Sequence, residues 1–259
     1  MQQELLFEVN DGIALVTFNR AAARNALTFT MYEQLAERCA QAGTDDGIKV
    51  LIITGAGGQA FAAGTDIGQF RDFRTAEDGI AYEQRMEAVL CAVESCAVPT
   101  IAAINGACTG GGAAIAACCD LRIADAALKF GFPIARTLGN CLSNASLERL
   151  CVLLGEARTR EIIFTARLIE ADEALAIGLA ATILDTPREV AAHARSLAEK
   201  IKSFAPLTLR ATKEGLRRLR DQGHGAADED LIAMCYTSED FREGMNAFLN
   251  KRKPQWKGH

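Results

Sequence analysis

The chain has no long run of lysine or arginine, and its formal net charge is −5. That balance argues against nucleic acid as a partner. No C-x-x-C pair occurs. The nine cysteines (Cys39, Cys91, Cys96, Cys108, Cys118, Cys119, Cys141, Cys151 and Cys235) are odd in number and irregular in spacing. Neither a disulfide framework nor a zinc site is indicated, and a reducing cytoplasm is the expected compartment. No apolar run is long enough to span a bilayer, so no membrane partner is expected. Met1-Gln2-Gln3-Glu4 lacks the basic region and apolar core of a secretory signal. Tandem repeats and low-complexity segments are also missing.

What is present suits one large domain, or one domain with an appendage: 259 residues, 49% of them hydrophobic and 24% charged. Leu5 to Val9 and Ile13 to Phe18 read as a hairpin around Asn10-Asp11-Gly12. Met31, Leu35 and Cys39 have helical spacing, with Thr28 or Thr30 as the cap. Val50 to Thr54, Thr100 to Asn105, Leu121 to Ala124 and Ala181 to Leu184 read as strands. Glu77 to Val98 reads as a long amphipathic helix closed by Pro99. Ala145 to Leu154, Thr159 to Thr165 and nearly everything from Pro187 onward read as helix, whereas Phe130 to Pro133 reads as irregular. Strands alternating with helices predict an α/β core with a helical tail.

The chain is organised around Asn105-Gly106-Ala107-Cys108-Thr109-Gly110-Gly111-Gly112, at a strand-to-helix turn. The first N–H groups of a helix have no partner inside it. Glycine there lets a ligand approach the backbone, so such a turn suits an anion or an oxygen that becomes anionic. Three glycines alone favour a tight turn with close helix–sheet packing. Ala60-Phe61-Ala62-Ala63-Gly64-Thr65-Asp66-Ile67 is the second place where small residues expose backbone at a strand end. Two such turns on adjacent strands can aim two N–H groups at one oxygen.

This pair of motifs, in this order, resembles the crotonase superfamily, the enoyl-CoA hydratase/isomerase family. The likeness extends through Asn19-Arg20 with Asn25-Ala26-Leu27, Pro99 to Gly112, Cys119-Asp120, Phe130-Gly131 and Ala176-Ile177-Gly178-Leu179. It ends at Arg242-Glu243-Gly244-Met245 with Phe248 and Lys251 to Pro254. The resemblance implies a crotonase-like spiral of ββα units over residues 1–200. A helical region over 201–259 then serves trimerisation and CoA contact. The expected assembly is a homotrimer or a dimer of trimers. The implied ligand is an acyl-CoA thioester, with CoA as part of the substrate and no separate cofactor. By position, the oxyanion hole falls on the backbone N–H groups of Thr65 and Gly111. Arg24 and Lys251 match positions near the CoA phosphates. Ala60, Ala62 and Ala63 match the loop that holds adenine and pantetheine, and Asp66 reads as a cap or brace beside it. Phe61 reads as a core anchor, and Arg20 as solvated surface.

The sequence departs from the family where its hydratases carry two glutamates. Those positions hold Ala114 and Ile134. General acid–base work by that pair is therefore excluded. Replacements are sought in the same region. Arg136 can bind a carboxylate or lie in an ion pair. Cys141 has no histidine near it in sequence (the three are His193, His224 and His259), so a small buried hydrophobe is its expected state. Glu83 and Glu87 lie on a helix that can flank the pocket, or form a solvated face. Two readings follow. One is an acyl-CoA enzyme that hydrates, isomerises, decarboxylates or cleaves a C–C bond. The other is a non-catalytic acyl-CoA binder.

Overall fold

The computed structural model describes residues 3–259. Strands β1 (Leu5–Asn10) and β2 (Ile13–Phe18) form the antiparallel hairpin, with Asn10 paired to Ile13. Asp11 and Gly12 make its turn with φ of 50° and 75°, the handedness that matches strand twist in two-residue hairpins. Helix α1 (Phe29–Thr44) is capped by Thr28, whose hydroxyl accepts from the Met31 N–H. Met31, Leu35 and Cys39 are buried along one face of it, as their spacing predicts.

From there one pattern repeats. Strands β3 (Val50–Gly55) and β4 (Ala60–Ala62) lead into α2 (Ala76–Glu94). Strands β5 (Thr100–Ile104) and β6 (Ala107–Thr109) lead into α3 (Gly111–Cys118). Strands β7 (Leu121–Asp125) and β8 (Lys129–Gly131) lead into α4 (Ile134–Thr137), α5 (Asn144–Leu154) and α6 (Glu156–Thr165). Strand β9 (Ile169–Glu170), α7 (Ala171–Ala176) and β10 (Thr182–Leu184) close the spiral. In the three units that begin at β3, β5 and β7, the first strand joins a six-stranded sheet of order β1-β2-β3-β5-β7-β10. The second joins a four-stranded sheet of order β4-β6-β8-β9. The result is a spiral of ββα units, as the resemblance implies. The central strands of the large sheet are parallel and buried on both faces, which is why β3 and β5 are unbroken apolar runs.

Three strands of the small sheet lie where the sequence reads as turn or irregular chain. Each has three residues, too few for a period to show. The glycines therefore follow β6, a strand of the second sheet, rather than β5 directly. After Asp66 the chain makes only a 3-10 turn, Ile67–Phe70, before α2 begins.

Phe61 is fully buried edge-on to Phe18, at 5.4 Å between ring centroids. Truncating such a ring to alanine costs about 3–5 kcal/mol. It fixes β4, and with it the turn that follows. Helix α8 (Pro187–Lys202) lays Val190, Ala194, Ala198 and Ile201 on the other face of the large sheet. Helices α9 (Pro206–Gln222), α10 (Glu229–Tyr236) and α11 (Glu239–Leu249) follow. Helix α9 buries no side chain fully. It is tied to the core by Lys213, whose Nζ lies 2.7 Å from Asp120. Asp120 in turn accepts from the Thr100 N–H at 2.7 Å.

Candidate active site

The two turns meet because β4 and β6 are parallel neighbours. Gly64 follows β4 with φ of 98°, and Gly110 follows β6 with φ of 53°. A side chain at either would be strained. A Cβ on Gly110 would lie 3.4 Å from the Gly64 Cα, so the turns pass backbone to backbone. Leu27 donates to the Gly64 carbonyl at 2.8 Å and accepts from the Asp66 N–H at 2.9 Å, which pins Thr65 between them. Gly111 is the first residue of α3. Among the described residues, neither the Thr65 N–H nor the Gly111 N–H has an acceptor. Unpaired donors at a helix start and at a strand end are a place for a negatively charged oxygen.

Thr65 and Gly111 line one cavity of ≈ 160 Å³. It is similar in size to an engineered cavity of about 150 Å³ that takes up benzene. Ala114, Ile134, Met86, Leu90 and Phe132 make its wall largely apolar. Tyr82 and Phe70 stand on another side, edge to face at 4.9 Å. The one carboxylate on the wall is Glu83. Burial pushes its carboxyl above the usual range. Neighbouring Glu87 adds to this, and the Ser143 backbone N–H opposes it. Glu83 is therefore part of the cavity rather than of a solvated face.

Two polar side chains that sequence reasoning missed stand beside Thr65, while Thr109, Thr137, Asn140 and Ser146 add to the polar part of the wall. The Tyr32 hydroxyl lies 2.9 Å from Thr65 Oγ1, which lies 3.0 Å from the Tyr82 hydroxyl. Burial raises the pKa of both phenols, so they stay protonated at neutral pH. Three hydroxyls carry three protons, and the two contacts between them use two. The third proton is left for a ligand oxygen or water. The chain has only three tyrosines. Two of them on helices flanking the turns was the available signal.

The other candidates divide. Ala63 lines the cavity, while Ala60 and Ala62 are buried within β4 with no part in its wall. Arg24 is exposed, and its carbonyl accepts from the Ala63 N–H at 3.1 Å. Asp66 braces its loop, accepting from the Gly68 N–H at 3.0 Å and pairing with Arg20 at 2.9 Å. The guanidinium of Arg20 holds the Asp66 carboxyl below the usual carboxylate range. Arg20 is thus an internal brace, also bonded to Glu4 at 3.0 Å, and not free surface. Glu87 turns from the cavity to Arg149, which grips it bidentately at 2.5 and 2.9 Å and holds its pKa down. Arg136 and Cys141 are exposed and outside the cavity wall, so Cys141 is not the expected buried hydrophobe. The cause is local: the one-turn α4 places Ile134 at the cavity wall and leaves Arg136 exposed, and the irregular stretch after Leu138 carries Cys141 along the surface. Lys251 is exposed beyond α11.

Comparison with known proteins gives a consistent result. The family model for enoyl-CoA hydratase/isomerase matches residues 8–259. The chain is 34% identical to a short-chain-enoyl-CoA hydratase of Clostridium acetobutylicum, over 96% of this chain and 95% of that one. It is 35% identical to an (E)-benzylidenesuccinyl-CoA hydratase of Thauera aromatica, with 97% and 98% covered. A crystal structure described as an enoyl-CoA hydratase/carnithine racemase from Magnetospirillum magneticum superposes with a TM-score of 0.91. It is 35% identical, with 100% of this chain and 97% of that one covered.

Proposed function

The chain belongs to the enoyl-CoA hydratase/isomerase family, and from that premise we propose that it converts acyl-CoA thioesters by way of an enolate. The thioester carbonyl oxygen sits between the N–H groups of Thr65 and Gly111. Glu83 takes a proton from the acyl chain, the electron pair passes to the thioester oxygen, and the proton returns at another carbon. One such donor is worth about 3 kcal/mol where negative charge develops. The observation that carries this reading is that Glu83, the one carboxylate on the wall, shares a cavity with both unpaired N–H carriers.

The raised pKa of Glu83 suits a group that must both accept and return a proton. Ala114 and Ile134 stand where hydratases of the family hold their water. An apolar wall there favours isomerisation, decarboxylation or C–C cleavage over hydration. Arg24 and Lys251 are proposed to meet the CoA phosphates, with Lys251 serving a neighbouring subunit. Ala63, at the cavity wall, is proposed to meet the pantetheine through its backbone, while Ala60 and Ala62 act only by holding β4 in place. No separate cofactor is proposed. Residues 1–200 form the catalytic spiral and 201–259 the assembly region. The exposed Leu216, Leu219, Phe248 and Leu249 support that division.

The test is incubation with a panel of 2-enoyl-, 3-enoyl-, 3-hydroxy- and malonyl-type CoA thioesters, with products followed by mass spectrometry. Conversion of at least one, abolished by Glu83→Gln, is expected. Tight binding without conversion of any would overturn the reading in favour of an acyl-CoA binder.

A further inference from the structure

The enolate reading uses only backbone atoms of Thr65 and Gly111, yet the two residues meet at one side-chain atom. The Tyr32 hydroxyl lies 2.9 Å from Thr65 Oγ1. A Cβ on Gly111 would collide with that same hydroxyl, and would lie 3.1 Å from Tyr32 Cζ and 3.3 Å from Thr65 Oγ1. Gly111 is not among the residues of positive φ. Its conformation therefore does not demand glycine. The space taken by the tyrosine does.

Tyr32 is packed into the core with its hydroxyl at the cavity wall. It is 2% exposed and belongs to the main core cluster. On the far side of Thr65, the Tyr82 hydroxyl completes a rail of three oxygens from α1 to α2. Tyr82 is itself held by Phe70 at 4.9 Å and Phe29 at 5.8 Å between ring centroids. The rail crosses under both turns that carry the unpaired N–H groups.

We propose that Tyr32 is a positioning residue: wedged between Thr65 and Gly111, its hydroxyl sets the separation and aim of the two N–H groups that hold the thioester oxygen. The proposal rests on the enolate reading above. Its physical basis is the narrow range in which such donors work. They must lie about 2.7–3.1 Å from the developing oxyanion. A shift of about 1 Å at a reacting centre can cost on the order of 10²-fold in rate. The rail is fixed before substrate arrives, so the donors need no reorganisation when charge develops.

Tyr32→Phe keeps the ring and removes the wedge. Its kcat should fall about 10- to 100-fold with KM within about 3-fold of wild type, the pattern of an interaction realised only in the transition state. Gly111→Ala should lower kcat by displacing the hydroxyl. The double variant should be no worse than Gly111→Ala alone, because the phenylalanine frees the space that the new methyl needs. A second route avoids both positions. Thr65→Val should lose about as much as Tyr32→Phe, and Thr65→Ser, which keeps a hydroxyl, should lose less. Wild-type kcat in folded Tyr32→Phe, or losses that multiply independently in the double variant, would overturn the positioning role alone. A wild-type protein that converts no thioester of the panel would overturn the enolate reading and this role together.

Discussion

Crotonyl-CoA should be hydrated slowly or not at all by this protein, although several of its relatives are named hydratases. Hydration needs a base to take a proton from water and an acid to return one to the α-carbon. At the two positions that by resemblance match those carboxylates, the cavity presents a methyl from Ala114 and a sec-butyl from Ile134. A positioned acid–base group contributes about 10²–10⁴-fold, or about 3–5 kcal/mol. Two missing groups do not add simply, so the expected deficit is at least about 10²–10⁴-fold against a two-glutamate hydratase. The Tyr32–Thr65–Tyr82 hydroxyls do not fill the gap. Burial keeps both phenols protonated, so they donate but cannot serve as a base. The assay is loss of the conjugated-thioester absorbance, for the unmodified protein and for Ala114→Glu/Ile134→Glu. The double substitution should raise the rate at least about 10-fold. It should also lower Tm, because it places two more carboxylates in an apolar cavity beside Glu83. Fast hydration by the unmodified protein would refute the reasoning. Glu83 would then be the group to test, since Glu87 is locked to Arg149.

Other outcomes follow from the same geometry. Glu83→Gln should lower kcat about 10²–10⁴-fold and remove an acidic limb of the pH–rate profile that lies above the ordinary glutamate value of 4.5. Because folding raises this carboxyl's pKa, its contribution to stability is present below that ordinary value and is lost as pH rises through the folded one. Glu83→Gln should therefore melt higher than wild type at pH 7, with the difference vanishing near pH 4. A lower Tm at pH 7 would contradict the direction of the shift. Gly111→Pro deletes the N–H proposed to face the thioester oxygen and should abolish turnover while circular dichroism and size are retained. Full activity in the folded variant would remove Gly111 from the mechanism. Sedimentation should show a trimer or a pair of trimers, since Val152, Phe204 and Leu216 line an apolar groove beside α9 that is uncovered in the single chain. A monodisperse monomer at micromolar concentration would contradict this.

The sequence by itself determined the repeating frame. The hairpin around Asp11-Gly12, the Thr28 cap, and the buried runs Val50 to Gly55 and Thr100 to Ile104 depend on local chemistry and on periodicity over five or more residues. The two small-residue stretches marked the strand-end turns that meet at the cavity, and Ala114 and Ile134 were singled out only through the family resemblance. The tertiary structure decided the rest. Strands β4, β6 and β8 are three residues long, and they exist because they pair with one another rather than through any pattern of their own. Glu83 and Glu87 are one helical turn apart and equivalent in sequence. A partner on α5, Arg149, takes one and leaves the other in the cavity. Arg20 looked like surface until Glu4 and Asp66 closed on it from either side. Tyr32, Thr65 and Gly111 lie far apart in the chain, and only the stacking of α1 beneath two strand ends brings them to one oxygen atom. Contacts of that kind depend on distances between elements, and no local stretch of sequence encodes those distances.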